Sequence, residues 1–478
     1  MRKVVITGPT GEIGIALIRR LVQEKIEVLA ICRPGSHRRK LIPRSPYVKV
    51  VECDLSDFKN LSPLEETYDV FYHFGWCASY GAERENLYLQ NRNVQYELDA
   101  VDLAARLGCK KFIGAGTQAE YGRKDKPLTP DMETTPETAY GAAKLCAGYF
   151  SKLACKQKGI VHVWVRICSV YGFGDGPNTL ITYIMQQLEK QEDIELTPCQ
   201  QQWDYLYAGD AAEAFYRMGM SVNEDRVYCL GSGQAKPLYT YMQEVERFAR
   251  AKGISSRIKV GARPYGEQQM MYLCADIDRL QRDIGTFVST DFYRGLEEIW
   301  QQDQEYKKDI NVELQEAIGK VNAYIDDPTK GLPEEVLLFL TENTPMVNVD
   351  LLIRDKENRI LLSWRDDEFC GCGWHVPGGI IRLKETLEER IQKTALNEIG
   401  CTVIFDKQPL EVRQIVHKEK KTRGHFITFI YECRIPEGNA VDQKEKKPGE
   451  AGFLQWHDKF PEDMIEVHNF YKKYFDMI

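Results

Sequence analysis

Two short segments carry residue types whose spacing suits chemistry. Tyr140 and Lys144 stand four residues apart, so one face of a helix would present a phenol beside an ammonium. Such a pair passes a proton to or from an oxygen while a hydride moves at the carbon that bears it. Near the start, Gly8, Gly11 and Gly14 follow the apolar run Val4-Val5-Ile6, with Glu12 and Ile13 among them. A strand that enters a turn of this kind and leaves as a helix cradles a dinucleotide pyrophosphate on open backbone amides. The spacing predicts a helix from Ile15 to Glu24. The two segments together point to redox chemistry with a dinucleotide.

Further elements must bring those residues together. Lys111 to Gly122 reads as a buried strand that delivers the hydroxyl of Thr117 to the carboxyl end of a parallel sheet, where ligands of such sheets bind. Val163 to Gly172 repeats the strand-then-loop pattern, and Gln202 to Ala214 leads into another helix. The second strand, Val28 to Cys32, runs into Arg33-Pro34-Gly35-Ser36-His37-Arg38-Arg39-Lys40 with no acid at its end. A carboxylate there would accept from the adenosine ribose of NAD, whereas a 2′-phosphate calls for arginine and small hydrogen-bonding residues. NADP(H) is therefore expected in preference to NAD(H), with Arg33 and Ser36 as its contacts and Arg39 and Lys40 as solvated surface.

On these residues the first 300 or so resemble an extended short-chain dehydrogenase/reductase, the family of nucleotide-sugar epimerases, reductases and dehydratases. The resemblance implies that Thr117, Tyr140 and Lys144 form a catalytic triad, with Lys144 lowering the pKa of the Tyr140 phenol. It also places Asp54 and Leu55 in the cofactor site, and the segment His73-Phe74-Gly75-Trp76 after the fourth strand. Dehydratases of the family follow the catalytic threonine with Asp-Glu, and this chain has Thr117-Gln118-Ala119, with Glu120 a position away from the decarboxylases' glutamate. What remains is redox at a sugar carbinol: a 4-ketoreductase, or alternatively a 4-epimerase. By the same resemblance Trp76, Asn178 and Arg263 are substrate candidates, a nucleotide-diphosphate sugar is the partner and a homodimer the assembly. Tyr80 and Trp203 are further candidates to wall the sugar pocket.

After a helix expected from Tyr293 to Tyr306, a polar and partly helical stretch leads to Leu332-Pro333-Glu334-Glu335-Val336 and then to Val347 to Arg354, which alternates as a strand. Gly373-Trp374-His375-Val376-Pro377-Gly378-Gly379, Glu385 and a helix ending at Gly400 resemble a Nudix box, specifically that of the GDP-mannose glycosyl hydrolase branch, through Asp350 and Arg365. The box departs from its pattern. Lys393-Thr394 stands where the family has Arg-Glu, Asn397-Glu398 where it has Glu-Glu, and Ile380 where an arginine follows the glycines. The resemblance leaves Glu398 and Glu450 as magnesium ligands and makes a nucleotide-sugar binding role the expectation for this domain. A hydrolase that uses the dehydrogenase-like half for recognition is the alternative from a different class.

Length sets limits on this reading. At 478 residues the chain exceeds what one core supports, so two domains are expected: 1–305, a partly helical linker over 306–331, and 332–478. The fold class is α/β: a doubly wound parallel sheet of Rossmann type with a small substrate-binding subdomain, then an α/β/α Nudix-like domain. No signal peptide and no run of eighteen apolar residues is present, so a cytoplasmic protein without membrane partners is expected. The 14 cysteines, of which Cys370 and Cys372 stand closest, lack metal or disulfide spacing. A net charge of −8 argues against nucleic acid.

Overall fold

The computed structural model describes residues 1–61, 66–266, 269–367, 369, 371–443 and 445–476; Cys370 lies outside them. The chain divides into two compact units, Met1–Ile310 and Asn311–Ile478.

The first unit is built on a sheet of seven strands, β1 (Lys3–Thr7), β2 (Glu27–Cys32), β3 (Val48–Glu52), β4 (Val70–His73), β5 (Lys111–Thr117), β6 (Val161–Ile167) and β7 (Arg226–Leu230). Their order is β7-β6-β5-β4-β1-β2-β3, and each neighbouring pair is parallel. Parallel strands covered on both faces must be apolar on both, which is why these runs do not alternate. In β1, Val4 and Ile6 enter one core while Val5 enters the core of the opposite face. The chain reverses direction along the sheet between β1 and β4, and a crevice opens there at the carboxyl ends.

Helix α1 (Glu12–Gln23) starts three residues earlier than its apolar periodicity predicts, because Gly11 serves as the N-cap. Gly8 has φ +66°, and a Cβ on it would stand 2.7 Å from the backbone carbon of Phe74, so no other residue fits. Helix α2 (Leu87–Arg106) packs against α3 (Ala139–Lys158), which begins where the Thr138 side chain accepts from Gly141 N at 3.0 Å and ends at left-handed Gly159. A smaller core outside the sheet gathers Ile184, Leu188, Val245, Phe248 and Leu296 from the helices Leu180–Lys190, Leu238–Ala251 and Phe292–Tyr324. The last of these runs well past the predicted Tyr306, since the polar stretch that follows contains no proline to stop it.

The second unit is a mixed sheet: β8 (Met346–Arg354), β9 (Ile360–Asp367), β10 (Gly371–His375), β11 (Gly378–Ile380), β12 (Ile404–Phe405), β13 (Glu411–Val416), β14 (His425–Arg434) and β15 (Leu454–His457). Its spine runs β10-β9-β8-β14-β12, with β8 and β14 parallel. Val349, Leu351 and Ile353 of β8 face the helix Leu387–Ile399, through Ile391, Ala395 and Ile399. Leu352, between them, faces the opposite core with Trp374, Tyr471 and Phe475. The layers are thus α/β/α. Among the described residues no helix is long and apolar enough to cross a membrane.

Candidate active site

One cavity of about 630 Å³ lies along the crevice of the first unit. Gly8, Gly11, Glu12, Ile13 and Gly14 line one part of it, Arg33, Ser36, Asp54 and Leu55 another, and Trp76, Thr117, Tyr140 and Lys144 a third. The first amides of α1 receive no side-chain cap at Gly11, which leaves donors for an anion at the positive end of a twelve-residue helix. Asp54 caps a short turn of its own, accepting from Ser56 N at 3.1 Å. Arg38 bonds to the carbonyls of Thr10, at 2.9 Å, and Gly174, tying the loop after β2 to the glycine turn. Arg39 pairs with Glu52 on the surface, at 2.5 Å. These residues fit a dinucleotide: a turn that admits no side chain, open amides for the pyrophosphate, and basic and hydroxyl groups at the ribose end.

The reacting end is set by β5 and α3. Thr117 ends β5, its hydroxyl accepting from Ala119 N at 3.3 Å and bonding with Tyr140. Tyr140 lies in the first turn of α3, edge-on to Trp76 with ring centroids 6.0 Å apart. Lys144, one turn on and almost fully buried, donates to Ala115 O at 2.7 Å and sits 3.7 Å above the Trp76 ring.

Burial dominates the electrostatics of both Tyr140 and Lys144. Burial raises the Tyr140 phenol to about 12, with the Thr117 hydroxyl and the charge of Arg84, whose guanidinium lies 4.7 Å from the Tyr140 ring, pulling the other way. Lys144 is not among the largest influences on it. Burial instead lowers Lys144 itself to about 8, opposed by Glu97 and Glu120. An ammonium enclosed by apolar walls loses more solvation than nearby carboxylates return.

Behind the lysine lies a feature that the sequence reading missed. Glu97 of α2 is 0% exposed, neither carboxylate oxygen has a hydrogen-bond partner among the described residues, and His73 Nε2 stands 3.6 Å away. Burial raises this carboxyl to about 7, against the pull of Lys144. His73, lowered to about 3 by burial and by Lys144, stays neutral and bonds through Nδ1 to Thr7 Oγ1 at 2.7 Å. The signal was present: Val94, Glu97 and Val101 share the buried stripe of α2, and a carboxylate in such a stripe is rarely there for packing. Arg84, on a short turn between β4 and α2, left no such trace.

Other candidates fall elsewhere. Tyr80 joins Trp76 on the cavity wall, whereas Trp203 bonds to Ser169 Oγ at 3.0 Å and is not among the lining residues. Asn178 is exposed and does not line the cavity. Arg263 is likewise away from it, 3.7 Å from Glu195 and 3.4 Å from Tyr183 OH. Glu120 is fully buried, accepting from Arg166 Nε at 2.6 Å and Thr117 N at 2.8 Å, so it braces the strand end and does not offer an acid to a substrate. Glu12 is raised to about 7 by burial and by Asp175, with Arg38 opposing.

In the second unit Glu398 lies in the last turn of the helix Leu387–Ile399, and Glu450 is exposed and accepts from Lys447 N at 3.1 Å. Among the described residues no three His, Cys, Asp or Glu side chains converge to hold a metal. The carboxylates that the family's box would bring to a metal are correspondingly few. The physical reason is substitution: Thr394 and Asn397 bring no charge, and Glu385 is taken up by Arg390, at 2.7 and 2.9 Å, and by Lys393, at 3.0 Å.

A profile of the NAD dependent epimerase/dehydratase family matches residues 4–231, and one of the NUDIX domain matches residues 344–474. The UDP-glucose 4-epimerase of Corynebacterium glutamicum is 26% identical over 320 residues, 62% of this chain and 94% of that protein. The dTDP-4-dehydro-6-deoxyglucose reductase of Escherichia coli is 23% identical over 261 residues, 51% of this chain and 80% of that one. Among solved structures, the UDP-glucuronic acid 4-epimerase of Bacillus cereus in complex with NAD superposes with a TM-score of 0.54 at 19% identity, covering 64% of this chain and 98% of that one, a likeness of fold. The protein is an enzyme whose N-terminal domain belongs to the NAD dependent epimerase/dehydratase family, the family of nucleotide-sugar epimerases and reductases, and whose C-terminal region is a fused NUDIX domain.

Proposed function

We propose that the protein is an NADP-dependent nucleotide-sugar oxidoreductase that reduces a 4-keto sugar, and that its NUDIX domain binds a nucleotide sugar. The observation that carries this reading is the single cavity with the glycine turn at one part and Thr117, Tyr140 and Lys144 at another. The cofactor, when bound, supplies the hydride for the sugar carbonyl carbon. Tyr140 gives its proton to the carbonyl oxygen, and Thr117 holds that oxygen by a hydrogen bond. A phenol held near 12 is protonated at neutral pH and ready to act as an acid. A reductase uses that protonated form directly, whereas an epimerase begins by oxidising and needs the phenolate first. The reductase among the relatives points the same way, and the 4-epimerase is the second reading because relatives of that kind match as well.

The NADP preference rests on Arg33 and Ser36 lining the cavity and on Cys32 at the end of β2, where an NAD enzyme places an acid. Exposed Leu87, Tyr88, Tyr149, Phe150 and Leu153 on α2 and α3 favour a homodimer through these helices. The described cysteines are all free thiols, in keeping with a reducing cytoplasm. The test is to mix the enzyme with NADPH and the UDP-, CDP-, GDP- and dTDP-linked 4-keto sugars and to follow NADPH absorbance and sugar products. Net oxidation of NADPH with a 4-hydroxy product supports the reductase. Interconversion of two 4-hydroxy sugars without net oxidation establishes the epimerase, and release of sugar from an unreduced nucleotide sugar the hydrolase.

A further inference from the structure

The NUDIX domain contains a cavity of about 220 Å³ whose wall includes Asn348, Asp350, Arg365, His375, Arg423 and His468. Three polar atoms of this wall, Asn348 Oδ1, His375 Nδ1 and Arg423 Nε, are buried without a hydrogen-bond partner among the described residues. Buried polar groups are nearly always paired, so three orphans on one small cavity mark a place where a ligand completes the set. The remaining groups are held in position. Asp350 Oδ2 accepts from Thr428 Oγ1 and from Tyr471 OH, each at 2.6 Å. His468 Nδ1 accepts from Val376 N at 3.1 Å, which fixes its ring 6.2 Å from that of His375. Arg365 reaches the wall from β9 while pairing with Asp367 at 3.2 Å, and Arg423 lies 4.1 Å from the Phe369 ring centroid.

The donor and acceptor types narrow the ligand. Two guanidinium groups call for an anionic oxygen, and Arg–phosphate pairing is strong and directional. The Asn348 carbonyl and the Asp350 carboxylate call for hydroxyl donors. Inorganic phosphate meets only the first set and a free sugar only the second; a sugar bearing a phosphate meets both. At about 220 Å³ the space is below the roughly 300–1,000 Å³ of drug-sized sites, so one ring and its phosphate enter while a nucleoside stays outside. Among the described residues no three His, Cys, Asp or Glu side chains converge on this cavity to hold a divalent cation. Thr394 stands under the glycine turn, its hydroxyl 2.6 Å from where a Cβ on Gly379 would lie, at a position where a carboxylate would otherwise help to hold one.

We infer that this cavity binds the sugar-phosphate part of a nucleotide sugar without a divalent cation, through Arg365, Arg423, His375, Asn348 and Asp350. The inference rests on the reading of the NUDIX domain as a nucleotide-sugar binder and names the groups that do the work. Burial and the charge of Arg365 lower His375 to about 3, against a backbone hydrogen bond at Ser363, so the ring is neutral and brings no third full charge to the cavity.

The full-length protein is titrated calorimetrically with glucose 1-phosphate, mannose 1-phosphate, inorganic phosphate, glucose and GDP-mannose, each with a chelator and again with magnesium. At least one sugar phosphate should bind in chelator, with an affinity that magnesium changes less than about twofold, and inorganic phosphate and glucose should bind at least about tenfold more weakly. Arg365→Met should weaken that binding by about tenfold or more, as should His375→Phe. Because Arg365 is partly exposed its replacement leaves the fold intact, which thermal unfolding verifies. Binding that requires magnesium, or that is unchanged in both variants, overturns the inference. If GDP-mannose binds this domain only with magnesium, the broader reading of a nucleotide-sugar binder survives while the cation-free site does not; if nothing is bound that Arg365→Met weakens, both fall.

Discussion

The two sites of this chain have treated their charged groups in opposite ways. In the N-terminal domain the acids and bases around the cavity remain unneutralised at close quarters: Lys144 is buried against Trp76, and Glu97 has no hydrogen-bond partner on either oxygen. In the NUDIX domain the surviving carboxylate of the glycine turn, Glu385, is closed off by Arg390, Lys393 and the Arg382 amide, which outweigh its burial and hold it at about 2. A group poised for proton transfer must be perturbed yet able to change state. A carboxylate locked in an ion-pair network has become part of the scaffold. On the proposed function, the comparison sets a domain that moves a proton beside one that holds a ligand.

The hardest test of that contrast is Tyr140→Phe, which removes only the phenolic oxygen. Turnover should fall by a factor of about one hundred or more while NADPH binding stays the same, because general acid catalysis contributes that much. Steady-state rates and a cofactor titration check it, and a loss of less than about tenfold would break the assignment of the acid. Gly8→Ala comes next. Its Cβ would meet the Phe74 backbone at 2.7 Å in a left-handed conformation, so dinucleotide affinity should drop by at least about tenfold, read by fluorescence titration, with ligand binding in the NUDIX domain unaffected.

Arg33→Ala sharpens the cofactor side. Losing one charge-assisted bond should weaken NADPH by about tenfold and NADH far less. Equal effects on both cofactors, or equal affinities in the wild type, would remove the case for NADP. A smaller effect is expected from Glu97→Gln, read by thermal unfolding against pH. Glu97 is raised to about 7, so between roughly pH 4.5 and 7 the folded state holds a proton that the unfolded state has released, and stability declines as pH rises through that window. The glutamine variant lacks this term, so its stability relative to wild type should improve toward pH 7 by on the order of 1 kcal/mol. A constant difference across the window would show that Glu97 does not titrate there. The smallest effect is expected from magnesium on GDP-mannose, which the NUDIX domain should hydrolyse little or not at all, as chromatography of the products would reveal. Robust magnesium-dependent release of sugar or sugar phosphate would end the contrast between the two domains.

Much of this was readable from local pattern. The glycine turn, the strand that ends in Thr117 and the helix that carries Tyr140 and Lys144 announce themselves because each depends on neighbours a few residues away: a backbone angle only glycine tolerates, a run apolar on both faces, an i,i+4 spacing. The departures of the Nudix box were equally plain, being a matter of which residue types stand at fixed offsets. Arg263 and Asn178 were harder, since their loops carry no periodicity and only the folded chain shows Arg263 beside Glu195, away from the cavity.

What only the tertiary structure decided is the state of the charges. The sequence by itself determined that a phenol and an ammonium share a helix face; it did not reveal that the ammonium would rest on Trp76, that Arg84 would be the cation over the phenol, or that Glu97 would be enclosed beside His73. A pKa depends on how much water is excluded and on which groups approach from other elements, here β4, β5, α2 and the turn between β4 and α2, and those distances exist only once the sheet and its helices have packed. The same holds for the NUDIX cavity. Asn348, His375, Arg423 and His468 are spread over 120 residues, and nothing in their spacing says that one small space, lined with unpaired polar atoms, would bring them together.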